Sequence, residues 1–284
     1  MNAIMLFRLG MTVDQAITAY TRLSEDVFSK KAVLSRKKTN ASLLENAIAN
    51  IILNVDKSQA QKICMLDDTG PKWRVAHLWF ATFIDLFYSF ITASAAMNLS
   101  SPTLFRTYIP PRHASYNCTI VEAIRASMAE EPFFPGVDIG DPNVKETFIH
   151  VGSRISNPVK AILEEAASIF PGQSISCVLS IGSGSQGIIR FATTSITKQV
   201  KGLQNLINDG EHISDEVAKE LCDRDVFYCR LNVDHGLEDI GFDDWERLGD
   251  VRTHTQKYLE KYDTSQKVSR LMQILNRRTG AFWF

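Results

Sequence analysis

Several short stretches of this 284-residue chain carry side chains whose type and spacing bear on chemistry. His150-Val151-Gly152 follows a short apolar run, Thr147-Phe148-Ile149. An imidazole at a strand end can serve as a general base, but only beside a positioned nucleophile. The plainer reading of His150 is a loop histidine with local partners. Ser180-Ile181-Gly182-Ser183-Gly184-Ser185-Gln186-Gly187 contains G-x-G-x-x-G after the apolar run Ile175–Ile181, the spacing of a loop whose backbone N–H groups cradle a pyrophosphate. No second strand ending in an acid follows about twenty residues on, which weakens a nucleotide reading. The serines there do not form G-x-S-x-G, so this is no nucleophile elbow. Arg112-His113, after Pro110-Pro111, reads as a surface loop, with the entrance of a site as the alternative. Five cysteines (Cys64, Cys118, Cys177, Cys222, Cys229) are odd in number, widely spaced and without a CxxC pair. They imply neither a zinc site nor a disulfide framework, and reduced cytosolic thiols are expected.

The elements that must position these residues follow an α/β pattern. Gly10 stops a short apolar helix over Ala3–Leu9. Thr12 and Gln15 form a capping box, with Val13, Ile17, Tyr20 and Val27 at helical spacing behind it. Ser42 and Glu45 read as the cap of a second amphipathic helix running to Val55. Between them, Lys30–Lys38 is a basic run. A solvated loop is preferred there over a contact with phosphate or an anionic membrane, because such short blocks are common on surfaces. Phe90-Ile91-Thr92-Ala93 reads as a strand. Asn157 is an N-cap with Pro158 at the first helical position of a helix over Val159–Phe170. The continuous run ISCVLSI suits a strand buried on both faces of a parallel sheet. Phe227, Cys229, Leu231 and Val233 alternate with polar neighbours as a further strand, and amphipathic helices follow it. Residues 210–284 are thus read as a mainly helical C-terminal part.

Composition narrows the partners. Hydrophobic residues make 45% and charged residues 22% of the chain, with formal net charge −1, which excludes the electrostatic signature of a nucleic-acid binder. Val75–Leu99 is long and apolar enough to span a bilayer, but Asp85 near its centre opposes insertion by about 2.5–3.5 kcal/mol. An inserted apolar loop or helix is the preferred account. The N-terminus is apolar but carries Arg8 and lacks a cleavage pattern, so no signal peptide is read.

The motifs in order resemble the patatin-like phospholipase family of the fungal type. They are Leu104-Phe105-Arg106-Thr107-Tyr108, Cys118-Thr119-Ile120-Val121-Glu122-Ala123, Arg125-Ala126-Ser127, Pro132-Phe133-Phe134, Ser156-Asn157-Pro158-Val159, Glu165-Ala166 and Ser180-Ile181-Gly182-Ser183-Gly184. The N-terminal residues NAIMLFRLGMTVDQAITAY are similar to the helix after the family's GTSTGG elbow. The resemblance runs from Asn2 to about Leu275. It implies a partial three-layer α/β/α acyl-hydrolase fold, with an incomplete, mostly parallel sheet and residues 1–284 as one domain. Residues 75–89 are then an insertion before a family strand.

The same resemblance implies a lipid acyl hydrolase working through a Ser–Asp dyad and a glycine-rich oxyanion loop. The chain begins just after the place where GTSTGG would end, so the resemblance implies an N-terminally truncated member without nucleophile or oxyanion loop. His150 stands where the family has the dyad aspartate of DGG. No catalytic residue is therefore intact, and an inactive pseudoenzyme of lipid metabolism is expected. No cofactor or metal is expected. Glu130-Glu131 fall where the family has small residues and would oppose an acidic headgroup. A lipid or phospholipid is the implied ligand, in the cytoplasm or at a membrane surface. A strand at Ile175–Ile181 or Phe90–Ala93 is expected to become an open edge, leaving apolar surface for a protein partner or self-association. The alternatives are a non-catalytic lipid- or protein-binding scaffold and a nucleotide-dependent enzyme using the glycine-rich loop.

Overall fold

A computed structural model describes residues 1–29, 37–55, 62–67, 88–111, 116–130, 133–150, 157–185 and 210–277. The basic run up to residue 36, most of the apolar segment (68–87), Arg112, His113, Glu131, Val151, Gly152 and the aromatic tail lie outside the described residues. The architecture is mixed α/β with a partly parallel arrangement of strands. Two compact units divide the chain, residues 1–151 and 152–284.

The first unit starts with a π-helical turn, Ile4–Arg8, closed at Gly10 with φ +64°. Helix α1 (Val13–Phe28) follows with the expected capping box: Thr12 accepts from the Gln15 N–H and Gln15 returns a bond to the Thr12 N–H. Its burial differs from the periodicity reading. Leu23, Ser24, Val27 and Phe28 are buried, whereas Val13 is 63% and Ile17 59% exposed. The C-terminal turns of α1 are the part that is packed, with Phe28 against Phe133 and Phe134 at 6.1 and 5.9 Å. Helix α2 spans Lys37–Val55. Ser42 and Glu45 are therefore not its cap. They lie inside it, and Glu45 serves a different partner described below.

Four strands form one antiparallel sheet, β1 (Phe90–Ala95), β2 (Asn98–Arg106), β3 (Val137–Asp141) and β4 (Val144–Ile149), in the order β2-β1-β4-β3. Strand β1 is hydrogen-bonded to β2 along its length and to β4 only at Ser94 and Ala95, so its end is interior while Phe90–Ala93 pair on the β2 side alone among the described residues. Helix α3 (Ile120–Ser127) begins with a second capping box, Thr119 with Glu122. The turn before it is pinned by an antiparallel bridge between Cys64 and Thr119. Phe105, Phe134 and Phe148 are fully buried. Phe105 and Phe148 meet edge-on at 5.1 Å, a geometry that adds about 0.5–1.5 kcal/mol beyond area burial.

The second unit alternates helix and strand: α4 (Val159–Ile169), β5 (Cys177–Ile181), α5 (Gly210–Cys222), β6 (Phe227–Leu231), then α6 (Leu248–Glu260) and α7 (Tyr262–Arg277). Strands β5 and β6 pair in parallel, Leu179 opposite Cys229. Among the described residues this is the parallel part; the larger sheet is antiparallel throughout, which differs from the expected predominance of parallel pairing. Val159, Val217 and Leu221 form the buried centre, with Val178 and Tyr228 packed on it. Nor is β5 buried on both faces, since Ile181 at its end is 72% exposed. The helix after Asn157 starts at Val159 as expected, but Pro158 is its N-cap and not its first helical residue. Asn157 Oδ1 nevertheless accepts from the Val159 N–H at 3.3 Å.

Candidate functional site

His150 sits at the exit of β4, the strand between β1 and β3. Its backbone N–H donates to the Ala129 carbonyl at 2.9 Å, which ties the strand end to the turn leaving α3. The residue is half-buried. Among the described residues its imidazole has no hydrogen bond or ion pair. No hydroxyl or thiol stands poised against it there. Three of the thiols are poorly placed to serve as nucleophiles. Burial pushes the Cys118 thiol up to about 12 and raises Cys64 and Cys229 as well. A thiol so held carries almost no thiolate at neutral pH.

The glycine-rich loop belongs to the second unit, and its geometry opposes a phosphate cradle. Such a cradle needs free backbone N–H groups converging on the anion. Here the Gly182 N–H donates to Leu231 O at 2.8 Å and the Ser185 N–H to Val233 O at 2.7 Å. The Gly184 N–H donates to Asn232 Oδ1 at 2.8 Å. The glycines allow close approach instead: a Cβ on Gly182 would lie 2.1 Å from Asn232 Oδ1, and Gly184 has φ +115°. The loop is a clasp around the exit of β6. Gln186 and Gly187 lie outside the described residues.

Below that clasp lies a polar network that sequence reasoning missed. Arg230 on β6 donates from Nη1 to Ser180 Oγ at 2.9 Å, and from Nε and Nη2 to Glu211 Oε1 at 3.1 and 2.9 Å. Asn232 Nδ2 donates to the same oxygen at 2.9 Å. Ser180 Oγ donates to Asn157 Oδ1 at 3.2 Å, and Asn157 Nδ2 reaches Gly210 O at 3.3 Å. Two strand ends and the starts of α4 and α5 are thus bound together, at the strand ends where open α/β sheets place ligands. The chemistry is structural, however. Ser180 gives its proton to an amide oxygen and receives one from a guanidinium, so no base draws on it. An Arg in the run FYCRL and a Ser in ISCVLSI were the available signals. Neither says which partner it meets.

In the first unit Arg125 is 2% exposed. Its Nε donates to Glu45 Oε1 at 3.1 Å and its Nη2 to Pro135 O at 3.3 Å, while Nη1 has no acceptor among the described residues. Among the described residues no helix is long and apolar enough to cross a membrane, and no three His, Cys, Asp or Glu side chains converge as metal ligands would.

Comparison with known proteins finds calcium-independent phospholipase A2-gamma of Rattus norvegicus, 26% identical over 294 aligned positions that cover 97% of this chain and 35% of that protein. The chain spans about a third of the length of the curated relative it matches. No protein-family model matches the chain. The likeness loosely supports a distant relation to phospholipases.

Proposed function

We propose that this chain is a patatin-like domain of lipid acyl hydrolase descent that does not itself turn over lipid. The observation that carries the descent is a sequence likeness seen in two ways. The family motifs occur in order from Leu104 to Gly184, and a phospholipase aligns with 97% of the chain. The loss of activity rests on His150. In this reading the carboxylate that should orient and deprotonate a serine is replaced by an imidazole. Among the described residues no hydroxyl is hydrogen-bonded to it. Dyad hydrolysis needs nucleophile, base and oxyanion donors together. Removing one member of such a unit lowers rate by several powers of ten.

The test is hydrolysis of a short p-nitrophenyl ester and of a phospholipid. The expected result is no turnover above buffer. Turnover abolished by a serine-reactive phosphonate overturns the proposal.

A second reading, a non-catalytic lipid- or protein-binding scaffold, draws on the exposed apolar side chains of α1, Val13 and Ile17. Isolated exposed apolar residues are ordinary, but contiguous ones mark contact surfaces. Saturable binding to liposomes by the inactive chain supports this reading.

A further inference from the structure

The first unit holds a cleft that neither the motifs nor the relative's name assigns. It lies between α1 and α2, with a volume of about 1060 Å³. Its floor is apolar, formed by Leu9, Leu23, Ala47, Ile51 and Ile63, all buried side chains. Along α1 it runs from Asp14 to Asp26, which is about 18 Å at 1.5 Å per residue. That is long enough for one extended fatty acyl chain. Concave sites of this kind combine an apolar floor with a few convergent polar groups.

The rim supplies those groups. Asp14, Arg22 and Asp26 line it from α1, and Asn50 and Asn54 from α2. Among the described residues these five side chains have no hydrogen bond or ion pair. Elsewhere exposed charges do pair: Lys160 with Glu216, Arg247 with Asp250, Lys261 with Asp234. The other cation of the cleft, Arg8, is already engaged, donating to the Asp67 carbonyl at 2.6 Å. The rim therefore offers one uncommitted cation, Arg22, with an uncommitted carboxylate, Asp26, one helical turn away. Side chains spaced i and i+4 lie about 5–6 Å apart at Cβ. One cation beside one carboxylate on a helix face complements a zwitterionic headgroup. The lining as a whole is balanced, Arg8 and Arg22 against Asp14 and Asp26, which suits a zwitterion better than a simple anion.

We propose that this cleft binds a single-chain zwitterionic lysophospholipid. The acyl chain lies along the floor, the phosphate is at Arg22 and the quaternary ammonium is at Asp26. The inference rests on the lipid reading of the chain and adds the lipid class and its place.

The experiment is isothermal titration with an ether-linked, dodecyl lysophosphatidylcholine kept below its critical micelle concentration. Wild-type protein is compared with Ala19→Phe, which narrows the cleft from its half-exposed wall, and Arg22→Glu on the rim. Glycerophosphocholine serves as the headgroup without a chain. Expected are saturable binding to wild type, loss of binding in Ala19→Phe, and weakening by about tenfold in Arg22→Glu, with unchanged circular dichroism and melting in both variants. Absence of saturable binding, or binding equal in wild type and Ala19→Phe, overturns the proposal. So does glycerophosphocholine binding as tightly as the lysolipid, which would mark a headgroup or phosphate site only. The ether probe cannot be hydrolysed, so its binding is read apart from turnover. Failure here leaves the acyl hydrolase descent standing, and ester turnover in the other assay leaves this binding standing.

Discussion

Arg125 on α3 and Glu45 on α2 join across 80 residues of sequence by one bond, Nε to Oε1 at 3.1 Å. The guanidinium is buried and the carboxylate side chain is 46% exposed. The pair is asymmetric, because the cation depends on its partner more than the carboxylate does. Removing one member of a buried pair is costly, whereas replacing it with an apolar residue of similar volume is often neutral. The half-exposed glutamate is partly screened by water. Glu45→Ala is therefore expected to cost about 1–3 kcal/mol. The double variant Glu45→Ala with Arg125→Met should recover most of that loss. Urea unfolding of the two singles and the double measures it, and additive losses would refute this account.

Gly182 and Asn232 make a second coupled pair. Alanine at 182 would place its Cβ 2.1 Å from Asn232 Oδ1. Asn232 must then swing away, breaking its bonds with the Gly184 N–H and with Glu211. Gly182→Ala is expected to cost about 1–3 kcal/mol. Asn232→Ala should cost about 1 kcal/mol or more for the lost bonds. The double variant should be no worse than the worse single, because the clash with Asn232 is gone and only the milder approach to the flexible Arg230 Nη2, at 2.8 Å, remains. Thermal melts of the three variants test this non-additivity.

Cys118 gives a dependence on pH. Its thiol ordinarily titrates near 9.0 and is pushed up to about 12, chiefly by burial. The folded state keeps the proton longer than the unfolded state does. The stabilisation is thus fully present below about 9 and lost as pH rises toward about 12, because the unfolded chain binds fewer protons in that window. Cys118→Ala should flatten the decline of stability between these values. At neutral pH, iodoacetamide should modify exposed Cys222 well before buried Cys118. Equal rates of alkylation at the two sites in folded protein would contradict the burial argument.

The exposed side of α1 gives a surface prediction. Val13 and Ile17 are four residues apart and both largely exposed, so polar replacements remove little packing. Val13→Lys with Ile17→Glu is expected to change folding stability by less than about 0.5 kcal/mol and to lower the binding of an apolar-surface dye. A large loss of stability would mean these side chains pack where the fold leaves them open.

What the sequence determined by itself is the local grammar. The capping box of Thr12 and Gln15, the glycine stop at Gly10, the Asn157 bond to the start of α4, and strands at Phe90, Cys177 and Phe227 are all set by residues within a few positions of one another. For that reason they are legible without a structure. The order of the motifs likewise carries the lipid-hydrolase resemblance, and with it the proposed reading of His150 as standing in place of an aspartate. The pairing of these elements was decided only by the tertiary structure. Period-two alternation specifies a strand but not its neighbour, so β1 reads equally well as an edge or an interior strand. Helical periodicity marks Val13 and Ile17 as apolar without saying whether anything reaches them. The bond from Arg230 to Ser180 spans 50 residues, and the cleft between α1 and α2 exists only because two separate helices stand beside each other. Such contacts depend on chain closure over long separations, which no local spacing encodes.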